Sequence, residues 1–558
     1  MRFANARSAP PALDMGSLSR SRLMLVAGVL AVGLAAIAGQ ILRLSLVRGE
    51  SGGLHAAEPV ARTFARPDIV DRDGHVIAAD VGAPSLYADP SILLDVDEAV
   101  EKLVTSLPTL DAATLRKSLS DRTRRFAWIK RHLTPVEAQR VHELGLPGLA
   151  FQREPKRVYP LGTLLGHVVG RVDVDNRGVA GLERHVDETL GLEPVIGAGS
   201  STRPPVRTTI DLGIQQALAS ELDAGLARYR AKAAMGLVMD VETGAILGSA
   251  SLPSVDPNHI GPDDLDSIDR VQGGVYELGS IFKTITVAMG LDQGIATLAK
   301  TYDVTRPIVR DGYTIRDPHP VGRPMTVREI FLRSSNVGAG SIALEAGVPR
   351  QQMFLARLGL TGAMRTEAGP VAQPLVPGRW QELEAVTISY GHGLAVTPIQ
   401  FVAAAATLLN GGYRVAPHYL EQASVPSRER IVSPETSDAI REIMRLNVTT
   451  AIGTGRRADV AGYRVGGKTG TAEMPGPKGY ARKAVIASFL AAFPMDAPRY
   501  VTLVSLVEPQ PAEGTRGQIT ASLNAAPVTA NLIERIAPVL GVLPRRLNAV
   551  AVVEPEHP

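Results

Sequence analysis

Tyr276-Glu277-Leu278-Gly279-Ser280-Ile281-Phe282-Lys283 places a hydroxyl and an amine one helical turn apart. Gly279 breaks the preceding segment, and Ile281 to Met289 is mostly apolar without a breaker, which predicts a buried helix with Ser280 at its N-terminus. Residues three apart share a helix face, so Lys283 can reach Ser280, and the exposed N–H groups of the first turn favour developing negative charge there. The stretch therefore reads as the nucleophile, base and half of the oxyanion site of an acyl-transfer enzyme. A lone S-x-x-K is most often a Ser cap with a solvated Lys, but this is the sole S-x-x-K in the chain and two partner motifs follow it.

Length and composition bound the rest. A chain of 558 residues is too long for one ordinary core, and 45% hydrophobic content with 59 basic and 56 acidic residues describes a globular protein. A net charge of +3, interspersed charges and only 4% aromatics give no support to nucleic-acid binding. The absence of cysteine excludes disulfides, thiolate chemistry and Cys-ligated zinc, and no His pair stands at helical ligand spacing, so neither metal nor cofactor is expected.

Residues 1–22 carry Arg2, Arg7, Arg20 and Arg22 against Asp14, and Leu23 to Leu42 then runs without a charge. Twenty helical residues span roughly 30 Å, the thickness of a bilayer core. The positive-inside rule sets residues 1–22 in the cytoplasm, 23–46 as a single-pass anchor in the inner membrane, and the remainder in the periplasm. Ala36-Ile37-Ala38 resembles a signal cleavage site, but the apolar stretch continues past it, which favours an uncleaved anchor.

From about 47 to 205 the chain is polar, with short elements. Arg66 to Gly74 reads as a strand entering an Asp-Gly turn, and Thr134-Pro135-Val136-Glu137 is a capping box whose helix should stop near Gly145. No catalytic constellation shows here, and Arg66, Arg157 and Glu183 read as solvated or structurally paired charges. A second domain, 206–545, opens with a strand at Val206 to Ile210, an Asp211 cap and a helix. A hairpin over Ala234 to Ala250, a largely helical region to about 450 and a strand-rich stretch from Tyr463 to Val507 predict an α/β (α+β) domain, a sheet flanked by helices. Phe401 to Leu409 reads as a core helix, and 546–558 as a disordered tail.

Ser334-Ser335-Asn336 and Lys468-Thr469-Gly470-Thr471 follow Ser280 in that order. A serine that attacks an amide needs a proton acceptor, and a lysine serves only when neutral; a second cation and exclusion of water both favour that form. Lys468 supplies the cation, and Ser334 can relay the proton to a leaving amine. Asn336 offers a donor and an acceptor to a peptide-like substrate. Gly470 lets a substrate lie close against its strand, where Thr469 and Thr471 can hold a terminal carboxylate, and the N–H groups of Ser280 and Thr471 form the candidate oxyanion hole. Ser522-Leu523-Asn524 repeats S-x-N in the wrong order and reads as a turn or cap. Gly462 to Thr469 matches the P-loop pattern, but Gly470, Pro475, Gly476 and Pro477 follow, so no helix is expected to hold a phosphate there.

The three motifs together are those of penicillin-binding proteins and class A β-lactamases. With the anchor, Arg66 to Gly74, Arg157-Val158-Tyr159-Pro160-Leu161-Gly162, Gly178-Val179-Ala180-Gly181-Leu182-Glu183 and Ser389 to Gln400, the chain resembles the division-type class B penicillin-binding proteins along nearly its whole length. The resemblance implies a penicilloyl serine transferase fold on a non-catalytic, elongated pedestal. It also implies a septal peptidoglycan D,D-transpeptidase that cross-links stem peptides through a Ser280 acyl-enzyme and is acylated by β-lactams. Its implied partners are a membrane glycan polymerase and other division proteins. Leu278 departs from the Pro common at that position. The rival readings are a β-lactamase, which needs an efficient deacylating base, a β-lactam sensor, an elongation-type transpeptidase and a catalytically idle division scaffold.

Overall fold

The computed structural model describes residues 66–190, 203–261, 267–422, 428–476 and 479–545, together with Met24, Gly28, Val32, Gly33 and Ala35, which are helical and exposed. The chain divides into two compact units, 1–63 and 64–558. Apart from those five positions, the expected anchor at 23–46 lies outside the described residues, as do 1–22 and the tail at 546–558. No helix among the described residues is long and apolar enough to cross a membrane.

In the larger unit, strand Ile69–Val70 enters a turn in which Asp71 Oδ1 accepts from the backbone N–H groups of Asp73 and His75, and Gly74 takes φ +95°, as an Asp-Gly turn requires. The chain returns along Val76–Ala88, which pairs antiparallel with Leu149–Val158 and, at its far end, with Ala127–Lys130. The Thr134–Glu137 capping box opens helix Pro135–Glu143, which ends at Leu144 ahead of Gly145. Leu86, Leu103, Leu119 and Val141 form the core beneath this sheet.

Three charges of this region are not solvated. Arg66, Arg157 and Glu183 are 5%, 5% and 0% exposed. Glu183 Oε2 accepts from Arg66 at 2.7 Å, its Oε1 accepts from Arg157 at 2.6 Å, and Arg157 also reaches Asp80 at 3.3 Å. Arg66 pairs further with Asp187. Buried charges persist where each has a partner and its remaining hydrogen-bonding positions are filled; here the Asn176, Glu183 and Pro67 carbonyls fill those of the two guanidinium groups.

The head is an antiparallel five-stranded sheet in the order Gly466–Gly476, Gly479–Phe493, Tyr500–Val507, Ala233–Asp240, Ile246–Leu252. Its central strands alternate: Val238, Phe489, Phe493 and Val504 face the helices Leu212–Tyr229 and Ala525–Val539, while Leu237, Met239, Leu490 and Leu503 face the core that holds Phe282, Ile285 and Phe401. Asp211 caps the first of these helices as expected. Helix Pro398–Leu409 is buried at every residue, which suits a central core helix. The run that matches a P-loop leads into the edge strand Gly466–Gly476, not a helix, and so has no helix N-terminus to offer a phosphate.

Candidate active site

Gly279–Phe282 forms a 3-10 turn that continues into helix Lys283–Asp292, whose residues from Lys283 to Gly290 are buried. Ser280 therefore sits inside the leading turn at the start of the helix and does not act as a cap, and the tighter turn keeps residues 280 and 283 on one face. Backbone atoms grip this turn from two sides. A Cβ on Gly391, at φ +86°, would stand 2.1 Å from Gly279 O, and one on Gly470 would stand 2.5 Å from Leu278 O. Only glycine allows approach this close.

Lys283 Nζ lies 2.7 Å from Ser280 Oγ, 2.7 Å from Asn336 Oδ1, 2.9 Å from Ser334 O and 3.1 Å from Ser334 Oγ. The carbonyl and amide oxygens can only accept, so a neutral amine places two N–H groups on them and turns its lone pair to a hydroxyl. Burial and the nearby Lys468 cation hold the Lys283 amine well below its ordinary lysine value, against an opposing upward pull from Asp317. Lys468 is also fully buried, which brings its amine down to about 7, and it donates to Ser334 Oγ at 3.0 Å. The Ser334 hydroxyl thus joins both lysines, and its residue takes the left-handed conformation at φ +60° that ends helix Val327–Arg333.

Thr469 Oγ1 donates to Thr454 Oγ1 at 2.7 Å, and Thr471 Oγ1 accepts from Ala521 N at 3.0 Å, which leaves its own proton for a ligand. Both belong to the edge strand, and Gly470 between them packs on the nucleophile turn. Ser280, Ser334, Asn336, Thr469 and Thr471 line one cleft of about 440 Å³, with Lys283 and Lys468 buried behind it.

Residues outside the three motifs complete the cleft. Asp317 Oδ2 accepts from Ser335 Oγ at 2.6 Å, and its Oδ1 accepts from the backbone of Asn336 and Val337 at 2.6 and 2.9 Å, which fixes the loop that carries Ser334 and Asn336. The sole sequence signal there was Asp-Pro, a generic turn pair. Thr454 also lines the cleft, as do Tyr390 and His392 from the Ser389 to Gln400 segment. So does Ser522, from the S-x-N repeat dismissed for its order, while its companion Asn524 caps helix Ala525–Val539. Away from the cleft, Asp71, Asp73 and His75 gather three metal-capable side chains, but Asp71 already serves its turn.

Comparison with known proteins bears on this geometry. Residues 234–534 match a family model described as the penicillin binding protein transpeptidase domain, and 63–191 match one described as the penicillin-binding protein dimerisation domain. The chain is 38% identical to a probable peptidoglycan D,D-transpeptidase FtsI of Caulobacter vibrioides, over 86% of this chain and 82% of the relative. It is 30% identical to a probable peptidoglycan D,D-transpeptidase PenA of Neisseria gonorrhoeae, over 91% of this chain and 90% of that one. Identity to the peptidoglycan D,D-transpeptidase FtsI of Escherichia coli is 28%, over 90% of each chain.

Proposed function

The chain belongs to the class B penicillin-binding proteins of the FtsI type, and from that premise we propose that Ser280 is the acylated nucleophile of a peptidoglycan D,D-transpeptidase. The observation that carries the reading is the buried Lys283 amine, 2.7 Å from Ser280 Oγ.

Lys283 takes the Ser280 proton as Oγ attacks the carbonyl of a donor stem peptide. The Oγ–C bond forms, the N–H groups of Ser280 and Thr471 receive the negative oxygen, and the amide C–N bond then breaks. Ser334 passes a proton from Lys283 to the departing amine, so that D-alanine leaves with its valence complete. Lys468 holds Ser334 in place and favours the neutral form of Lys283, while Thr471, joined by Thr469 once its hydroxyl turns away from Thr454, binds the terminal carboxylate and Asn336 orients the donor. An amine of a second stem peptide attacks the Ser280 ester, regenerates the hydroxyl and leaves a new amide cross-link. A β-lactam enters the same path at its strained amide but releases no leaving group.

Persistence of that adduct is supported by the acid-base inventory. Asp317 is the one acid among the described residues that line the cleft, and its oxygens are engaged by Ser335, Asn336 and Val337, so it is not free to activate water as a β-lactamase base would. The division role is supported by the Ser389 to Gln400 segment and the FtsI relatives. We assign 47–205 as the pedestal that meets a membrane glycan polymerase and other division proteins, 206–545 as the transpeptidase domain, and 23–46 as an inner-membrane anchor that sets both domains in the periplasm, a reading supported by the charge-free run after four arginines.

Intact-mass spectrometry of the full-length protein with benzylpenicillin tests the function. One stable adduct on the native chain and none on Ser280→Ala is the expected result. An unmodified protein beside unchanged drug contradicts the catalytic reading, and rapid hydrolysis of the drug identifies a β-lactamase instead.

A further inference from the structure

The cleft holds a cation that neither the reaction nor the fold uses. Arg333 ends helix Val327–Arg333, one residue before Ser334, and is exposed where it lines the cleft. Its guanidinium has no hydrogen-bond acceptor and no acidic partner among the described residues. The neighbouring acids are already engaged. Glu329, four residues earlier on the same helix, accepts from the Thr326 N–H of its capping box and pairs with Arg323 at 2.5 Å. Asp317 is committed to the Ser335–Val337 loop. The helix's other arginine, Arg328, is paired with Glu442 at 2.6 Å.

A guanidinium at the rim of a ligand cleft, fixed on a helix end and without an internal carboxylate, is suited to binding one from outside. The terminal carboxylate of the donor is already provided for at Thr469 and Thr471, on the edge strand. Arg333 instead adjoins the Ser334–Asn336 loop, whose Asn336 orients the donor. We propose that Arg333 binds a second carboxylate, carried on a side chain of the acyl donor, and so makes the site selective for anionic stem peptides and anionic β-lactams. The proposal rests on the acyl-enzyme reading above.

The test uses benzylpenicillin and its α-carboxylated derivative, which differ by one carboxylate on the acyl side chain. Second-order rates of Ser280 acylation are measured for the full-length protein and for Arg333→Gln, Arg333→Lys and Arg333→Glu. The dianionic-to-monoanionic rate ratio, the α-carboxylated derivative over benzylpenicillin, should fall about tenfold in Arg333→Gln, as expected for loss of a charge-assisted contact. It should fall further in Arg333→Glu, recover in Arg333→Lys, and shrink in the native protein as salt is raised. Formation of the benzylpenicillin adduct on each variant reports an intact site. An unchanged ratio in Arg333→Gln overturns the proposal. Failure of benzylpenicillin to modify the native chain would instead remove the acyl-enzyme reading itself.

Discussion

Asp317 Oδ1 accepts a hydrogen bond from the Asn336 backbone N–H at 2.6 Å, across 19 residues of sequence. Through this contact a residue with no chemical part in the reaction sets the position of one that has. Asp317→Ala leaves the first N–H groups of helix Asn336–Ala346 without their acceptor and should destabilise the head by about 1–3 kcal/mol. Benzylpenicillin acylation should slow by at least about tenfold, because displacement of a catalytic group by an ångström is costly. Thermal unfolding and stopped-flow acylation on one preparation check both.

Acylation should follow a bell-shaped pH profile. Lys283 must be neutral, and its depressed pKa means that the rate falls only as pH drops through that low value. Lys468 must be charged, and burial sets its loss of the proton at about 7, so the rate should decline above that pH. Lys468→Arg keeps the charge at all accessible pH values and should abolish the alkaline limb even where the overall rate is lower. A limb that persists in this variant belongs to another group.

The same lysine should leave a signature in stability. Unfolding returns Lys468 to water, where it titrates near 10.4, so between about pH 7 and that value the unfolded chain binds a proton the folded chain lacks. The penalty is complete below about 7 and shrinks as pH rises, with a slope of up to ~1.4 kcal/mol per pH unit. Urea midpoints at pH 7, 8 and 9 should therefore rise in the native protein and stay flatter in Lys468→Met.

Glu183→Ala strips the buried Arg66 and Arg157 of their shared counter-charge. Loss of one partner from a buried ionic cluster costs about 3–5 kcal/mol. Chemical denaturation should show that loss in the 66–190 region, while a Glu183→Gln variant, which keeps the shape but not the charge, should fall between the two.

Gly391→Ala should cost acylation out of proportion to stability. The new Cβ meets a backbone oxygen of the nucleophile turn, and φ +86° is strained for any side chain. A drop of roughly a hundredfold in acylation is expected where the turn moves by an ångström.

Local features were readable from sequence because their causes are local. The spacing of Ser280 and Lys283 fixes their encounter within one turn, the Thr134 capping box needs only its own four residues, and the Asp71 turn needs its Asp and Gly. The meeting of Ser334 with Lys468 is a different matter: 134 residues separate them, and motif resemblance, not spacing, joined them in advance. Asp317 and Thr454 carried no motif, and Gly391 was marked only as part of the Ser389 to Gln400 segment; each acquires its place only when distant segments meet. Arg66 and Glu183 read from residue type as either solvated or structurally paired, and the structure has them paired. Their partners stand 117 residues apart, and nothing in the local sequence revealed that both are enclosed. Ser522 was set aside on motif order, but a cleft wall is assembled in space without regard to order.

The grip of Gly391 and Gly470 on the nucleophile turn bears on how resistance to β-lactams would arise in this protein. Both contacts are made to main-chain oxygens, which no single side-chain replacement elsewhere can delete, and the glycines themselves admit no larger residue. The reacting groups are needed alike by drug and stem peptide. Escape mutations are therefore expected at the rim, among His319, Gln518, Thr520 and Ser522, where a bulky antibiotic side chain meets residues that the chemistry can spare.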